Sequence, residues 1–168
     1  MTQVEGTLAR ALAENPGVVI EEAVKTHGVT PRQVIEALPA EMWAIGPGGA
    51  FVEAMVDIGS WGDVTFIVHT DDGIFEASGR VPPGEVGRGY YNVPGGGALH
   101  GHLRHERCGG VAFVERSFMG RSSAFVAFLN VDGGIMFKVF VGRDEARNMK
   151  PDQLAAFAKL RERLCKTS

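Results

Sequence analysis

The segment "GGVAFVERSFMGRSSAFVAFLNVDGGIMFKVFVG", residues 109–142, carries the strongest indication of the fold class. It contains three runs rich in apolar, β-branched and aromatic residues, and the runs are separated by "FMGRSS" and "DGG". Runs of this composition, bounded by glycine-containing turns, are typical of β-strands joined by short connections. The stretch therefore predicts a meander of antiparallel strands.

The strand pattern continues upstream of the meander. The runs "DVTFIVHT" and "GIFEASGRV" lie on either side of Asp71-Asp72-Gly73, a turn signal of the Asp-Gly type, so they predict a hairpin. Most of the 23 glycines lie between Gly46 and Gly142, which also indicates turns and bulges rather than long helices. We expect an antiparallel sheet over residues 42–142.

Both ends of the chain predict helices. Residues 1–40 carry apolar side chains at helical spacing, and Thr30 with Gln33 forms a capping-box pattern around a proline at the first helical position. Residues 150–165 show helical spacing again and end in basic residues, which the helix dipole favours. The expected fold is α+β, in one domain spanning residues 1–168.

Composition limits the function classes. The 168 residues include 17 Lys and Arg against 20 Asp and Glu, a net charge of −3, which argues against sequence-independent binding of nucleic acid. The N-terminal "MTQVEGTLARALAENPG" does not resemble a signal peptide, and no apolar run is long enough to span a bilayer. We expect a cytoplasmic protein without membrane insertion.

The stretch "GGGALHGHLRHERC", residues 95–108, holds three of the five histidines and one of the two cysteines. A strand over residues 98–104 would place His100 and His102 on one face, as a metal site could require. A zinc site needs three or four protein ligands, however, and His105 has the opposite parity. Structural histidines are therefore preferred to a zinc site, and no motif for a catalytic triad or a phosphate-binding loop is present.

Haem is a further possibility because its iron takes only one or two axial donors from the protein. Tyr90, Tyr91, His100 and His102 lie within thirteen residues of one another. Arginines in the same region, Arg88 and Arg104, could pair with the propionates. On residue chemistry alone this possibility stays open beside the structural one.

Five segments together resemble a known family: "WGDVTFIVHT", "SGRVPPGEVGRGYYNV", "LHGHLRHERC", "VAFVERSFMGRSSAFVAFLN" and "MFKVFVGRDEARN". They are similar, in order and over nearly the whole chain, to the bacterial cytosolic haem-utilisation carriers of the HutX/ChuX type. That family is related to one half of the larger HemS/ChuS-type haem proteins. The resemblance implies a homodimer that binds imported haem and passes it to a haem-degrading partner, without being an enzyme itself.

The resemblance also implies site residues. It places the haem-linked tyrosine at Tyr90 and the family's histidines at His102 and His69, with Tyr90 and His102 as the candidate axial ligands of the iron. Tyr91 and His100 are additional haem-contact candidates beside them. Two alternatives stay open: a haem-degrading or dechelating enzyme, and a DNA-binding regulator that uses a helix-turn-helix within residues 18–38.

Overall fold

The computed structural model describes residues 2–165, and it confirms the α+β class with antiparallel sheets and helices at both ends. The helices are α1 Gln3–Glu14, α2 Ile20–His27, α3 Pro31–Glu36, α4 Phe51–Gly59 and α5 Pro151–Leu164. The strands are β1 Trp43–Pro47, β2 Asp63–Thr70, β3 Gly73–Arg80, β4 Glu85–Gly87, β5 Tyr90–Val93, β6 Gly101–Leu103, β7 Cys108–Phe118, β8 Arg121–Asn130 and β9 Ile135–Phe140. They form a six-stranded sheet in the order β1-β7-β8-β9-β2-β3 and a three-stranded sheet in the order β4-β5-β6.

The predicted meander is confirmed and forms the middle of the large sheet. Strands β7 and β8 pair from Cys108↔Asn130 to Phe118↔Arg121, and β9 pairs with β8 on its other side. Between β7 and β8 the chain reverses through Met119 and Gly120, whose φ angles of 52° and 79° are both positive. Positive φ at both central residues is the pattern of a tight turn that matches strand twist. The predicted β2–β3 hairpin is confirmed as well.

The central strands are buried on both faces, which explains why their sequences read as nearly continuous apolar runs. One face packs against α4, α5 and the small sheet, through residues such as Phe113, Val126 and Phe128. The opposite face packs against α1, α2 and α3, through residues such as Val114, Phe125 and Leu129. The large sheet is therefore the middle layer of the molecule.

Helix α3 has the predicted capping box: the Gln33 backbone N–H donates to Thr30 Oγ1, and the Thr30 N–H donates to Gln33 Oε1. Its apolar residues Val34 and Ile35 are fully buried. Arg32 donates to a backbone carbonyl of β7 and pairs with a glutamate on its own helix. This helix is engaged in packing, so little of its surface is left to read DNA bases.

Strands do not fill residues 42–142 as expected, because α4 interrupts them. Phe51, Ala54, Met55 and Ile58 are all buried and follow the spacing of one helix face. The helical signal was therefore present in the sequence but was obscured by the flanking glycines. The expected sheet also divides into two, since β4, β5 and β6 pair only with one another.

Within residues 2–165, no helix combines the length and the apolar character that crossing a membrane requires.

Candidate functional site: a tyrosine–histidine face on the small sheet

Strand β5 separates its two tyrosines onto opposite faces of the small sheet. Tyr91 and Val93 are buried against the core, whereas Tyr90 and Asn92 alternate with them and point the other way. The ladder pairs Asn92 with His102 on β6. Tyr90, Asn92 and His102 therefore share the outer face of this sheet.

A tight turn sets the position of Tyr90. Strands β4 and β5 are joined by Arg88 and Gly89, whose φ angles are 54° and 83°, and Gly87 pairs with Tyr90 directly after them. This two-residue connection fixes the strand register. Tyr90 is consequently held at the first position of β5, with its ring on the outer face.

Tyr90 and His102 contact each other on this face. Their ring centroids are 5.8 Å apart and the rings meet edge to face at 64°. The guanidinium carbon of Arg104 lies 4.9 Å from the centroid of the Tyr90 ring, within the range of a cation–π interaction. Tyr90 is half-buried, whereas His102 and Arg104 are exposed. The cluster of these three side chains is here called the Tyr90–His102 face.

His102 contacts the side chain of Asn92, its cross-strand neighbour. Its Nδ1 lies 2.6 Å from Asn92 Oδ1. The Asn92 Nδ2 group faces the backbone carbonyls of Glu85 at 3.2 Å and Gly87 at 3.1 Å. The asparagine thus links the imidazole to strand β4.

A cavity of about 640 Å³ opens beside this face. Its lining includes Arg88, Asn92, His100 and His102, together with the three residues of β4. His102 is the residue that belongs both to the cavity and to the aromatic pair. Tyr90 contacts His102 but does not line the cavity.

The structure places Tyr91 in the core, apart from the Tyr90–His102 face. It is 0% exposed, and its ring packs edge to face on Phe51 at 5.6 Å. Its hydroxyl accepts a hydrogen bond of 3.1 Å from the Gly84 N–H. Burial raises the pKa of the Tyr91 phenol, which disfavours the phenolate that would bind ferric iron. Tyr91 is therefore a packing residue of the core.

His69 also lies away from the other candidates, on the opposite face of the large sheet. Its Nδ1 is 3.3 Å from Glu21 Oε1 of α2, and the same oxygen is 2.6 Å from Lys138 Nζ. Burial acts to raise the pKa of the Glu21 carboxyl, but the Lys138 ammonium, the backbone N–H of Glu21 and His69 together outweigh it, so the pKa is lowered. His69 thus belongs to a largely buried charge cluster rather than to the Tyr90–His102 face.

His100 differs from the expectation of a strand over residues 98–104. Strand β6 begins only at Gly101, whose φ of 153° is readily adopted by glycine, so strand alternation does not reach His100. His100 nevertheless lines the cavity beside His102, as do Pro94 and Gly95 at the start of the loop before β6. In the described part of the chain, no three His, Cys, Asp or Glu side chains are grouped to hold a metal ion.

The donor chemistry of this face suits haem as a cargo. A phenol and an imidazole are both known haem ligands, and guanidinium groups at Arg88 and Arg104 can pair with propionates. Tyr90 and His102 rise from the same face and touch each other, so a macrocycle cannot lie between them in this conformation. If haem were bound on this face in this conformation, one of the two side chains would supply the donor to its iron.

The sequence pattern did not point to Asn92. Its only signal was its position two residues after Tyr90, which places both side chains on one face of a strand. That it would face His102 depends on the pairing of β5 with β6, two strands separated by a glycine-rich loop.

Residues 45–160 match the model of a family described as haem utilisation ChuX/HutX. The intracellular heme transport protein HutX of Vibrio cholerae is 36% identical over 163 residues, which cover 96% of this chain and 84% of that protein. The solved structure of the heme-binding protein ChuX superposes with a TM-score of 0.87 at 34% identity, covering 95% of this chain and 99% of that one.

One more distant likeness concerns the fold alone. The Escherichia coli heme oxygenase ChuS has a TM-score of 0.75 at 13% identity, covering 90% of this chain but 48% of that protein. The fold therefore corresponds to one half of the larger haem protein, as expected. The family match and the identity to HutX, both extending over most of the sequence, establish that the chain belongs to the haem utilisation ChuX/HutX family.

Proposed function

We propose that this protein is a cytoplasmic haem carrier that binds haem on the Tyr90–His102 face and passes it to a haem-degrading partner. The observation that carries the proposal is the contact between the Tyr90 and His102 rings, beside an open cavity and within reach of arginine side chains. Family membership supports it, since the relatives HutX and ChuX are named for heme transport and heme binding.

The arrangement suits a carrier. One axial donor from one side holds the iron, while the cavity stays open to solvent and leaves a route for release. Arg88 lines that cavity and Arg104 covers the Tyr90 ring, so either guanidinium can meet a propionate. Such a site binds haem without enclosing it, which favours transfer to a second protein.

The proposed assembly is a homodimer. The edge strand β3 supports it, because one side of this strand is unpaired and the apolar Ile74 and Phe75 are 57% and 66% exposed. An exposed apolar edge strand invites pairing with another chain. Two copies would also approximate the length of the larger ChuS-type protein, of which this chain covers 48%.

Titration of haemin into the purified protein tests the proposal. We expect a Soret band that saturates at about one haem per chain, because each chain carries one Tyr90–His102 face. Tyr90→Phe and His102→Gln should each shift or weaken the band, whereas His27→Gln, a histidine on α2 remote from the small sheet, should not. Absence of a saturable band, or a double variant of Tyr90 and His102 that matches the wild type, would refute the proposal.

Incubation of the haem complex with ascorbate separates the carrier from the enzyme alternative. A carrier keeps the Soret band, or loses it only when a recipient such as an apo-haem-degrading enzyme is added. Loss of the band with formation of a bilin or free iron, in the absence of a recipient, would show that the protein degrades haem itself.

A further inference from the structure

A cavity of about 400 Å³ lies between the start of β8 and the loop that follows β9. Three arginines line it: Arg121 on β8, and Arg143 and Arg147 in the loop. Among the described residues, none lines both this cavity and the one beside the Tyr90–His102 face. Its volume lies within the range of about 300–1,000 Å³ that is usual for small-molecule sites. It is here called the arginine cavity.

Arg143 is fixed by two backbone carbonyls of residues that line the arginine cavity. Its Nη2 donates to Ser122 O of β8 at 2.7 Å, and its Nη1 donates to Arg147 O of the loop at 3.0 Å. A guanidinium has five N–H groups, so others remain for a ligand. Because this half-buried side chain is already held in place, less conformational freedom is lost when it binds.

The loop that carries Arg147 is closed by hydrogen bonds within itself. Asp144 Oδ1 accepts from the Asn148 N–H at 3.0 Å, and the Arg147 N–H donates to Asp144 O at 2.9 Å. Arg147 has a φ of 70°, a left-handed conformation that is uncommon for residues other than glycine. The closed loop therefore holds a strained arginine at the cavity, and backbone strain of this kind is found most often at functional sites.

The arginine cavity concentrates positive charge on a chain whose net charge is −3. Its lining contains no carboxylate among the described residues, since Asp144 is engaged with the loop backbone instead. The ion pairs formed within residues 2–165 include none of the three arginines. Like charges around one cavity repel one another, so a ligand with more than one negative charge would be favoured there.

We propose that the arginine cavity is a second binding site of this protein, for a small molecule that carries a phosphate monoester or diphosphate group. A phosphate monoester has a charge of about −1.5 to −2 near neutral pH and three acceptor oxygens, which guanidinium groups meet in pairs. Ser122 and Asn148 add polar side chains to the lining. Only Ala146 and Met149 of the lining are apolar, so a large apolar ligand such as haem does not suit it.

A ¹H–¹⁵N NMR titration of the haem-free protein, in buffer without phosphate or sulfate, tests the site. The probes are glycerol phosphate, a monoester, and inorganic pyrophosphate. Each should cause saturable shifts confined to the backbone amides of residues 121–122 and 143–149 and to the arginine Nε–H groups of the cavity. Shifts that do not saturate, or that are spread over the surface, would overturn the proposal without any variant being needed.

Substitutions then identify the residues that bind. Arg121 and Arg147 are exposed, so Arg121→Gln and Arg147→Gln should leave the fold intact. Each should weaken binding of glycerol phosphate about 10-fold, the loss expected for one charge-assisted hydrogen bond. Arg10→Gln makes the same change of charge at an exposed position on α1 and should bind as the wild type does. Equal weakening in all three variants would reduce the effect to net charge and reject the site.

Two competing ligands give further outcomes that would contradict the proposal. Citrate that saturates the same signals more tightly than either phosphate compound would make the site one for carboxylates. A DNA duplex that shifts these signals when glycerol phosphate does not would make it a contact for nucleic acid.

The site does not depend on the haem carrier proposal. Haemin titration of Arg121→Gln and Arg147→Gln should give the wild-type Soret band. A weaker band in these variants would assign the arginines to haem and overturn the proposal of a separate site. A protein that binds glycerol phosphate in the arginine cavity but gives no saturable Soret band would reject the carrier and retain the second site.

Discussion

Substitution of the adjacent Tyr90 and Tyr91, one at a time, should separate the effect on stability from the effect on haem binding. In Tyr91→Phe, the ring and its contact with Phe51 are kept, and only the hydroxyl that accepts from the Gly84 N–H is lost. In Tyr90→Phe, the hydroxyl lost is on the outer face, beside His102. We expect the first change to reduce stability and the second to alter haem binding.

The size of the stability change follows from the hydrogen bond. A donor left without a partner inside a protein costs about 1–3 kcal/mol, and Gly84 is only partly buried, so about 1 kcal/mol is expected. For a chain of this size, that free energy lowers Tm by about 2–4 °C. Tyr90→Phe removes a group from a half-exposed position, which changes the free energy of unfolding by less than about 0.5 kcal/mol.

The assay pairs thermal unfolding, followed by circular dichroism, with haemin titration of the same samples. Tyr91→Phe should have a lower Tm and a wild-type Soret band, while Tyr90→Phe should have a wild-type Tm and a shifted or weaker band. If Tyr91→Phe loses haem and keeps its Tm while Tyr90→Phe binds normally, the assignment of faces on β5 is wrong.

Three further outcomes are expected. Glu21→Gln should cost about 3 kcal/mol in urea unfolding, because it leaves the Lys138 ammonium buried without its counter-charge. The pKa of Glu21 in the folded state lies below its ordinary value of 4.5, so the pair stabilises the fold above that pH and stops doing so as the pH falls through the lower folded-state pKa. The difference in free energy of unfolding between wild type and Glu21→Gln should therefore shrink in acid. If the proposed homodimer forms through β3, Phe75→Lys should give a monomer in size-exclusion chromatography, whereas Val131→Lys, at a comparably exposed apolar position, should leave that dimer intact. Equal elution volumes for the two variants would exclude the β3 edge from the interface. Gln153→Leu should cost about 3 kcal/mol or more, because its amide bonds three backbone groups, at 2.7, 2.8 and 3.1 Å, that would lose their partner; a cost below about 1 kcal/mol would contradict this role.

Much of the fold could be predicted because its signals are local. The Thr30 capping box, the glycine turn at residues 119–120 and the apolar runs of the meander each depend on a few neighbouring residues. Helix α4 was missed although its stripe from Phe51 to Ile58 is equally local, because the glycines around it matched the strand pattern of the region. The division into two sheets depends on long-range pairing, which no local pattern records.

The candidate site was predicted less completely. The resemblance identified Tyr90 and His102, and the structure brings these two into contact. The resemblance also named His69, which lies on the other side of the large sheet. The residues around Tyr90 and Tyr91 in the sequence do not show which of the two tyrosines is buried. Which of two adjacent strand residues faces outward depends on where the core lies, and that is a property of the packed layers.

The class of the fold, the positions of most turns and caps, and the kinds of donor available to a ligand could be predicted from the residues alone, because they follow from side-chain chemistry and short-range spacing. Three features depend on the packing of the whole chain: Tyr91 is a core residue, His69 pairs with the half-buried carboxylate of Glu21, and Asn92 faces His102. The physical reason is register: the β5–β6 pairing across a long glycine-rich loop brings an amide and an imidazole ten residues apart to within 2.6 Å.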